Sequence, residues 1–395
     1  MKYSERQVLN AIKNGINKRQ LLVGVIPTRT LDYNLAKFVS SGFILKEVVN
    51  REAIYSITTR GVAALNEFRD FSGIEITHTP SELVEIFNKE LIRQVILKDK
   101  ILQDIIVTIP FCYGRLGRNS AGVTANMISS AGRGKTMISK IWQEIAENPS
   151  YVDCKDIFGG PGIETRFKNA VESNPDIMVV DEVSQLMGSK LAALQSHTRE
   201  HIYPLVMIGN PSSKKADYKS DTFHGWLQSV YDGGNHVARS FMDRINLFIY
   251  LEKLTQKDDN GQLIDIFFDT DMVDLSEFGA YVKQQKHKNP LPSKEASEMF
   301  KEMVLKIREY VDDNTNLTLP RTSGAESPQV LKISHFTGGE NMARFQISLM
   351  ILARGMALRD DSSEIKPEYF ETAFDWYFYF LDQIYKIKMR RKVGL

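Results

Sequence analysis

The chain has 395 residues, of which 43% are hydrophobic and 25% charged, and a formal net charge of +1. This is ordinary globular composition for two or three domains with a large core. No stretch approaches about 18 uninterrupted apolar residues and three of the first six residues, Lys2, Glu5 and Arg6, are charged, so no membrane partner and no secretory leader is expected, and the location read from the sequence is cytoplasmic. Cys112 and Cys154 lie far apart without ligand spacing, which points to small core residues and away from a disulfide framework or a zinc site. The seven histidines offer only His197 and His201 at a spacing of four, with no third ligand nearby. The net charge hides an asymmetry: residues 1–70 carry +5, residues 386–395 carry +5, and residues 71–385 carry −9. Basic ends on an acidic body point to a polyanion at those ends.

Residues 1–70 read as a small α/β module. Ser4 can cap a helix containing Val8, Leu9 and Ile12 that ends at Gly15, and a short helix follows around Lys18–Val23. Thr28 or Thr30 can open a third helix, Leu31–Ser40, with Leu31, Leu35, Phe38 and Val39 facing inward and Gly42 closing it. Ile44–Val49 and Ala53–Ile57 alternate around the turn Asn50-Arg51-Glu52, and a last helix is expected over Val62–Phe68. This order, with the ending "YSITTRGVAALNEF", resembles a winged helix-turn-helix. The resemblance implies a third helix in the DNA major groove and a wing on the phosphates. Arg29, Thr30, Tyr33, Asn34 and Lys37 would be the exposed face of the reading helix, with Lys46 and Arg51 on the wing. Such modules also serve as protein-docking units.

Residues 71–120 read as a helical connector, a single helix capped by Ser81. The segment "GVTANMISSAGRGKTMISKIWQEIAE" then presents an apolar strand, a loop of small residues and an amphipathic helix opening on Gly134-Lys135-Thr136, which is the P-loop pattern. In that pattern the loop Ser129, Ser130, Ala131, Gly132, Arg133 and Gly134 wraps the phosphates of ATP with backbone N–H groups. Lys135 meets the β and γ oxygens, and the Thr136 hydroxyl ligates Mg²⁺. Ser129 stands where the pattern has its first glycine. Forty-six residues after Lys135, "PDIMVVDE" supplies a buried strand ending in Asp181 and Glu182. An aspartate there can hold the Mg²⁺ water shell, and the adjacent glutamate can orient the attacking water. A strand "YPLVMIG" ends at Asn210, suited to sensing the γ-phosphate, and Arg244 precedes another core strand, "INLFIYLE", where it could reach a neighbouring subunit's nucleotide as an arginine finger.

"IGNPSS…RSFMDRINLFIYLE" resembles the sensor and finger block of the minichromosome maintenance (MCM) helicases. "NPLPSKEASEMFKEMVLKIREYV" with "GGENMARFQISLMILARGMALRDDSSEIKPEYFETAFDW" resembles their helical lid, with Arg344 at the second-sensor position. Together these cover roughly residues 120–380. The resemblance implies an α/β AAA+ P-loop fold with a parallel sheet over 121–290 and a helical lid and basic tail over 291–395. It further implies Mg-ATP hydrolysis at the interfaces of a homo-oligomeric ring, and action on DNA. The chain departs from that family in having a winged helix at its N-terminus and only 29 residues from Asp181 to Asn210, where the family places a DNA-gripping hairpin. An initiator or loader that binds DNA without unwinding it, and a winged-helix regulator with a structural ATP site, are the other readings.

Overall fold

The computed structural model of the chain describes residues 8–9, 11–12, 18, 22, 28–49, 52–58, 70–95, 97–116, 119–120, 122–129, 134–154, 162–183, 193–194, 196, 201–209, 244–251, 273–313, 317–318, 330–331, 342–385 and 388–395. The chain divides into two compact units, 1–70 and 71–395, each with its own apolar core.

In the first unit, helix α1 (Thr28–Ser40) is followed by the antiparallel strands β1 (Ile44–Val49) and β2 (Glu52–Ile57). Leu31, Leu35 and Phe38 recur at helical spacing and meet Val8, Leu9, Ile12, Leu22, Ile44 and Tyr55 in one core. Val39, expected inward, is 39% exposed, because adjacent helical residues point about 100° apart and Phe38 already occupies the inward stripe. Gly42 ends the segment in the left-handed conformation, φ 69°, which lets the Phe43 N–H return to the Phe38 carbonyl at 2.9 Å. β2 starts one residue before the expected Ala53: Glu52 pairs in register with Val49, and its carboxylate meets Lys18 Nζ at 2.7 Å. The expected closing helix at 62–68 lies outside the described residues.

The second unit opens with two helices where the sequence suggested one. Helix α2 (Pro80–Val95) starts at a capping box: Glu82 N–H donates to Thr79 Oγ1 at 3.4 Å, while Thr79 N–H donates to Glu82 Oε2 at 2.7 Å. Ser81 therefore lies inside the first turn rather than at the cap. Helix α3 (Lys100–Thr108) has a separate cap in Asp99, whose Oδ1 accepts from the Ile101 and Leu102 N–H groups at 3.0 and 3.2 Å. After a two-residue hairpin, β3 (Arg115–Leu116) and β4 (Asn119–Ser120), the chain enters the central sheet.

That sheet contains β5 (Thr124–Ile128), β6 (Pro149–Asp153), β7 (Ile177–Asp181), β8 (Leu205–Gly209) and β9 (Leu247–Tyr250), all parallel, in the order β6-β7-β8-β5-β9. β5, β8 and β9 are buried along their whole length; β8 and β9 accordingly read as continuous apolar runs, whereas β5 also buries the polar Thr124 and Asn126. Helix α4 (Lys135–Glu144) carries the chain from β5 to the far edge at β6, and helix α5 (Ile163–Glu172) brings it back to β7. The two crossovers run in opposite directions, so right-handed connection puts α4 and α5 on opposite faces. Trp142, fully buried on α4, donates its indole N–H to the Ile106 carbonyl of α3 at 3.0 Å.

Further helices among the described residues are α6 (Ser276–Gln285), α7 (Lys294–Asp313), α8 (Ala343–Arg359), α9 (Pro367–Tyr377), α10 (Tyr379–Tyr385) and α11 (Met389–Lys392). Four more two-residue strands accompany them: β10 (Leu291–Pro292) pairs in parallel with β13 (Glu364–Ile365), and β11 (Leu317–Thr318) pairs with β12 (Val330–Leu331). Connector, sheet and C-terminal helices share one apolar core, with Phe248 of β9 stacked near Phe380 of α10 at 5.1 Å between ring centres. Buried Asn246 ties three elements together: its Oδ1 accepts from Thr124 N–H of β5 at 2.7 Å, and its Nδ2 donates to Ser348 Oγ of α8 at 2.9 Å. Cys112 and Cys154 are free buried thiols, each pushed up to about 12 by burial. Among the described residues no helix is long and apolar enough to cross a membrane.

His201 is a core residue with both ring nitrogens engaged. Its Nδ1 lies 2.6 Å from the Tyr203 carbonyl, which can only accept, so Nδ1 carries the proton and Nε2 accepts from Thr124 Oγ1 at 2.9 Å. Burial pulls its pKa down to about 4. The folded-state value lies below the ordinary value of about 6.5, so the neutral ring's contribution is complete above that pH and is lost as pH falls toward the folded value. Unfolding by urea should therefore become easier from about pH 6.5 to pH 4, by up to roughly 3 kcal/mol from this residue. His201→Asn should be less stable at pH 7 and should lack this component; an unaltered pH profile in that variant would show that other groups carry it.

Candidate functional site

The C-terminal edge of the parallel sheet gathers most of the described residues expected to act on nucleotide. Ile128 of β5 is level with Gly209 of β8, and Val180 of β7 is level with Met207, so the chain leaves β5, β7 and β8 at one edge. Ser129 follows β5 directly and is fully buried. Gly134 stands at the head of α4 with φ 80°, and a Cβ there would lie 2.3 Å from Val95 Cγ1 of α2. Backbone sign and close packing thus both require glycine. Gly134 offers no side-chain cap, so the positive end of the α4 dipole faces this edge with backbone N–H donors.

Lys135, the first residue of α4, is buried, and its Nζ donates to the Ser129 carbonyl and to Ser129 Oγ, both at 2.8 Å. A glycine at 129 could supply only the first of these contacts, so the departure from the P-loop pattern adds a hydroxyl ligand to the lysine. Thr136 is exposed on the first turn of α4. Ser130, Ala131, Gly132 and Arg133 lie outside the described residues.

Asp181 ends β7, two strand positions from β5, or about 10 Å at the usual spacing. Glu182 follows in the left-handed conformation, φ 56°, and its N–H donates to Asp181 Oδ1 at 2.8 Å. A non-glycine residue is rare there, and the bond to the preceding carboxylate helps hold the turn. The second carboxylate oxygen, Oδ2, accepts from the hydroxyl of Tyr151 on β6 at 2.5 Å. Burial, followed by this bond and by the nearby carboxylates, raises the Tyr151 phenol far above its ordinary value. Asp153 stands beside Asp181 in register. Neither Tyr151 nor Asp153 belongs to a sequence motif; the β6–β7 pairing alone brings them to the site.

The described oxygen donors suit a magnesium ion. Among the described residues no three His, Cys, Asp or Glu side chains are gathered into a metal cage. Magnesium commonly takes one or two protein oxygens together with substrate phosphates and water, and Asp181 and Thr136 offer a carboxylate and a hydroxyl of that kind.

Arg244 lies at the opposite edge. Asn246 N–H pairs with the Thr124 carbonyl, and Thr124 precedes Ser129 by five residues of extended chain. Arg244, two residues earlier still, is therefore about 20 Å from Ser129 along the strand direction. Arg344 is the second residue of α8; its carbonyl accepts from Ser348 Oγ at 2.8 Å, and that hydroxyl is the one bonded to Asn246. Asn210 lies outside the described residues.

Of the residues expected to meet DNA, Tyr33 (68% exposed), Lys37 and Lys46 face solvent. Asn34 does not: it is 2% exposed, because it follows Leu31 by three and precedes Phe38 by four and so falls on the core stripe of α1. Arg29 and Thr30 belong to α1, but their side chains, like the whole of Arg51, lie outside the described residues. Compared with known proteins, the chain matches no protein-family model and no curated protein.

Proposed function

We propose that the chain is an ATP hydrolase of the AAA+ type that works on DNA. The observation that carries this reading is the convergence of Lys135, buried against Ser129 at the start of a helix, with Asp181 and Glu182 at the same edge of a parallel sheet. Ligands of open parallel sheets bind outside the carboxyl ends of the strands where the winding reverses, and the neighbours β5 and β8 send the chain in opposite directions, β5 toward β6 and β8 toward β9. In the proposed role Lys135 and the N-terminus of α4 hold the β and γ phosphates, while Thr136 and Asp181 hold magnesium, which when bound offsets charge on the phosphoryl oxygens. Glu182 orients a water and takes its proton as the oxygen attacks the γ-phosphorus and the bond to ADP breaks.

The distance between Arg244 and Ser129 of its own chain supports a role toward a neighbouring copy, and so a homo-oligomeric ring. Tyr33, Lys37 and Lys46, on a basic module of +5, support contact with duplex DNA. A reading in which the module docks on protein draws support from Leu45 and Val48, large apolar side chains exposed on β1.

Lys135→Ala should lose affinity for Mg-ATP in calorimetry, and Glu182→Gln should keep that affinity while hydrolysing at least about 100-fold more slowly. Wild-type binding by the first variant would exclude the P-loop role, and turnover within a few-fold of wild type would remove Glu182 from it.

Turnover per chain should rise with protein concentration as copies assemble. Inactive Arg244→Ala and inactive Lys135→Ala chains should regain activity when mixed, since a hybrid interface joins an intact lysine to an intact arginine. Concentration-independent turnover, with no rescue in mixtures that co-assemble, would favour a monomeric switch.

Duplex binding by the full chain should weaken with salt, and Lys37→Ala with Lys46→Ala should flatten the plot of log affinity against log salt by about 0.9 per lost phosphate contact. Binding that is insensitive to salt and to both substitutions would favour the docking role.

A further inference from the structure

The corner occupied by Asp181 gathers carboxylates, with the Arg166 guanidinium nearby donating to the Asp153 carbonyl. Asp153 is beside it in register, Glu182 follows it, and no cation from the described residues bonds to its carboxylate in the hydrogen-bond or ion-pair contacts. A short aspartate side chain so placed would turn toward water unless something holds it. Two donors do: the Glu182 N–H on Oδ1 at 2.8 Å and the Tyr151 hydroxyl on Oδ2 at 2.5 Å. The first is local backbone. The second comes from another strand, across the β6–β7 pair, where Val152 is level with Val180 and Asp153 with Asp181.

We propose that Tyr151 is a positioning residue for the metal carboxylate: its hydroxyl, donating to Asp181 Oδ2, fixes the rotamer in which Asp181 receives magnesium. The inference rests on the nucleotide-site reading above. Each carboxylate oxygen has two lone pairs, so both oxygens can accept a hydrogen bond and still have a lone pair available. A neutral O–H donor also holds the anion without displacing a cation, as a lysine in its place would. Hydrogen-bonding partners of ligating carboxylates tune metal affinity by such orientation. The Tyr151 ring stands on an edge strand and is 43% exposed, so loss of its hydroxyl leaves the fold intact.

The test uses the full chain and a fluorescent N-methylanthraniloyl ATP, titrated in EDTA and then at rising magnesium. Tyr151→Phe should bind the probe as wild type does in EDTA. The magnesium concentration that gives half of the metal-dependent gain should rise roughly 10- to 100-fold. In an Asp181→Asn background the same substitution should add nothing, because the carboxylate through which it acts is gone. An unchanged or lowered magnesium midpoint in Tyr151→Phe, or an equal shift in both backgrounds, would overturn the proposal while leaving the nucleotide site standing. If Lys135→Ala binds the probe in EDTA as tightly as wild type, the nucleotide-site reading fails and the proposal falls with it.

Discussion

A buried strand that runs into a helix has little room to turn, and at the end of β5 that room is set by Val95. The isopropyl group of Val95 sits where any Cβ on Gly134 would go, and Gly134 must also adopt a left-handed backbone to start α4. Once that turn is made, Lys135 can fold back over Ser129, and the helix dipole points at the edge where β7 delivers Asp181. Val95, the last residue of α2, thus borders the candidate site, although no motif marks it as part of it.

Much of this organisation was legible in the sequence because it is local. Helical spacing in Leu31, Leu35 and Phe38, alternation in 44–57, and continuous apolar runs at 177–180 and 205–208 each report the period or burial of a single element. What escaped was either a choice between two near-equal local signals or a relation between distant elements. Asn34 is polar and so was expected on the outside, yet its place in the turn, between Leu31 and Phe38, decides otherwise. Asp99 looked like one more charge in a long amphipathic helix, but its carboxylate caps a new one. Tyr151 could not be recognised at all, because only the register of β6 against β7 brings its hydroxyl to Asp181.

The two edges of the sheet have different chemical characters. At the C-terminal edge, donors from a helix end and a lysine face carboxylates two strands away, an arrangement suited to an anion carrying a metal ion. At the other edge, Asn246 locks β9, β5 and α8 through bonds of 2.7 and 2.9 Å, with Arg244 just before it and Arg344 one turn from Ser348. Both arginines that the sequence singled out thus lie within four residues of the bonded pair Asn246 and Ser348.

The strand order also has a consequence for how the protein is made. β5 has no hydrogen-bonded neighbour close in sequence: Ile128 is level with Gly209 and with Tyr250, 81 and 122 residues further on. At about 5–20 residues per second, the ribosome takes on the order of 4–16 s after finishing β5 to supply even the first of these partners. During that interval an apolar strand leading into the lysine turn is present without a sheet to hold it, so the growing chain is exposed to aggregation until β8 emerges. The module at 1–70, whose hairpin closes between residues only a few positions apart, faces no such wait.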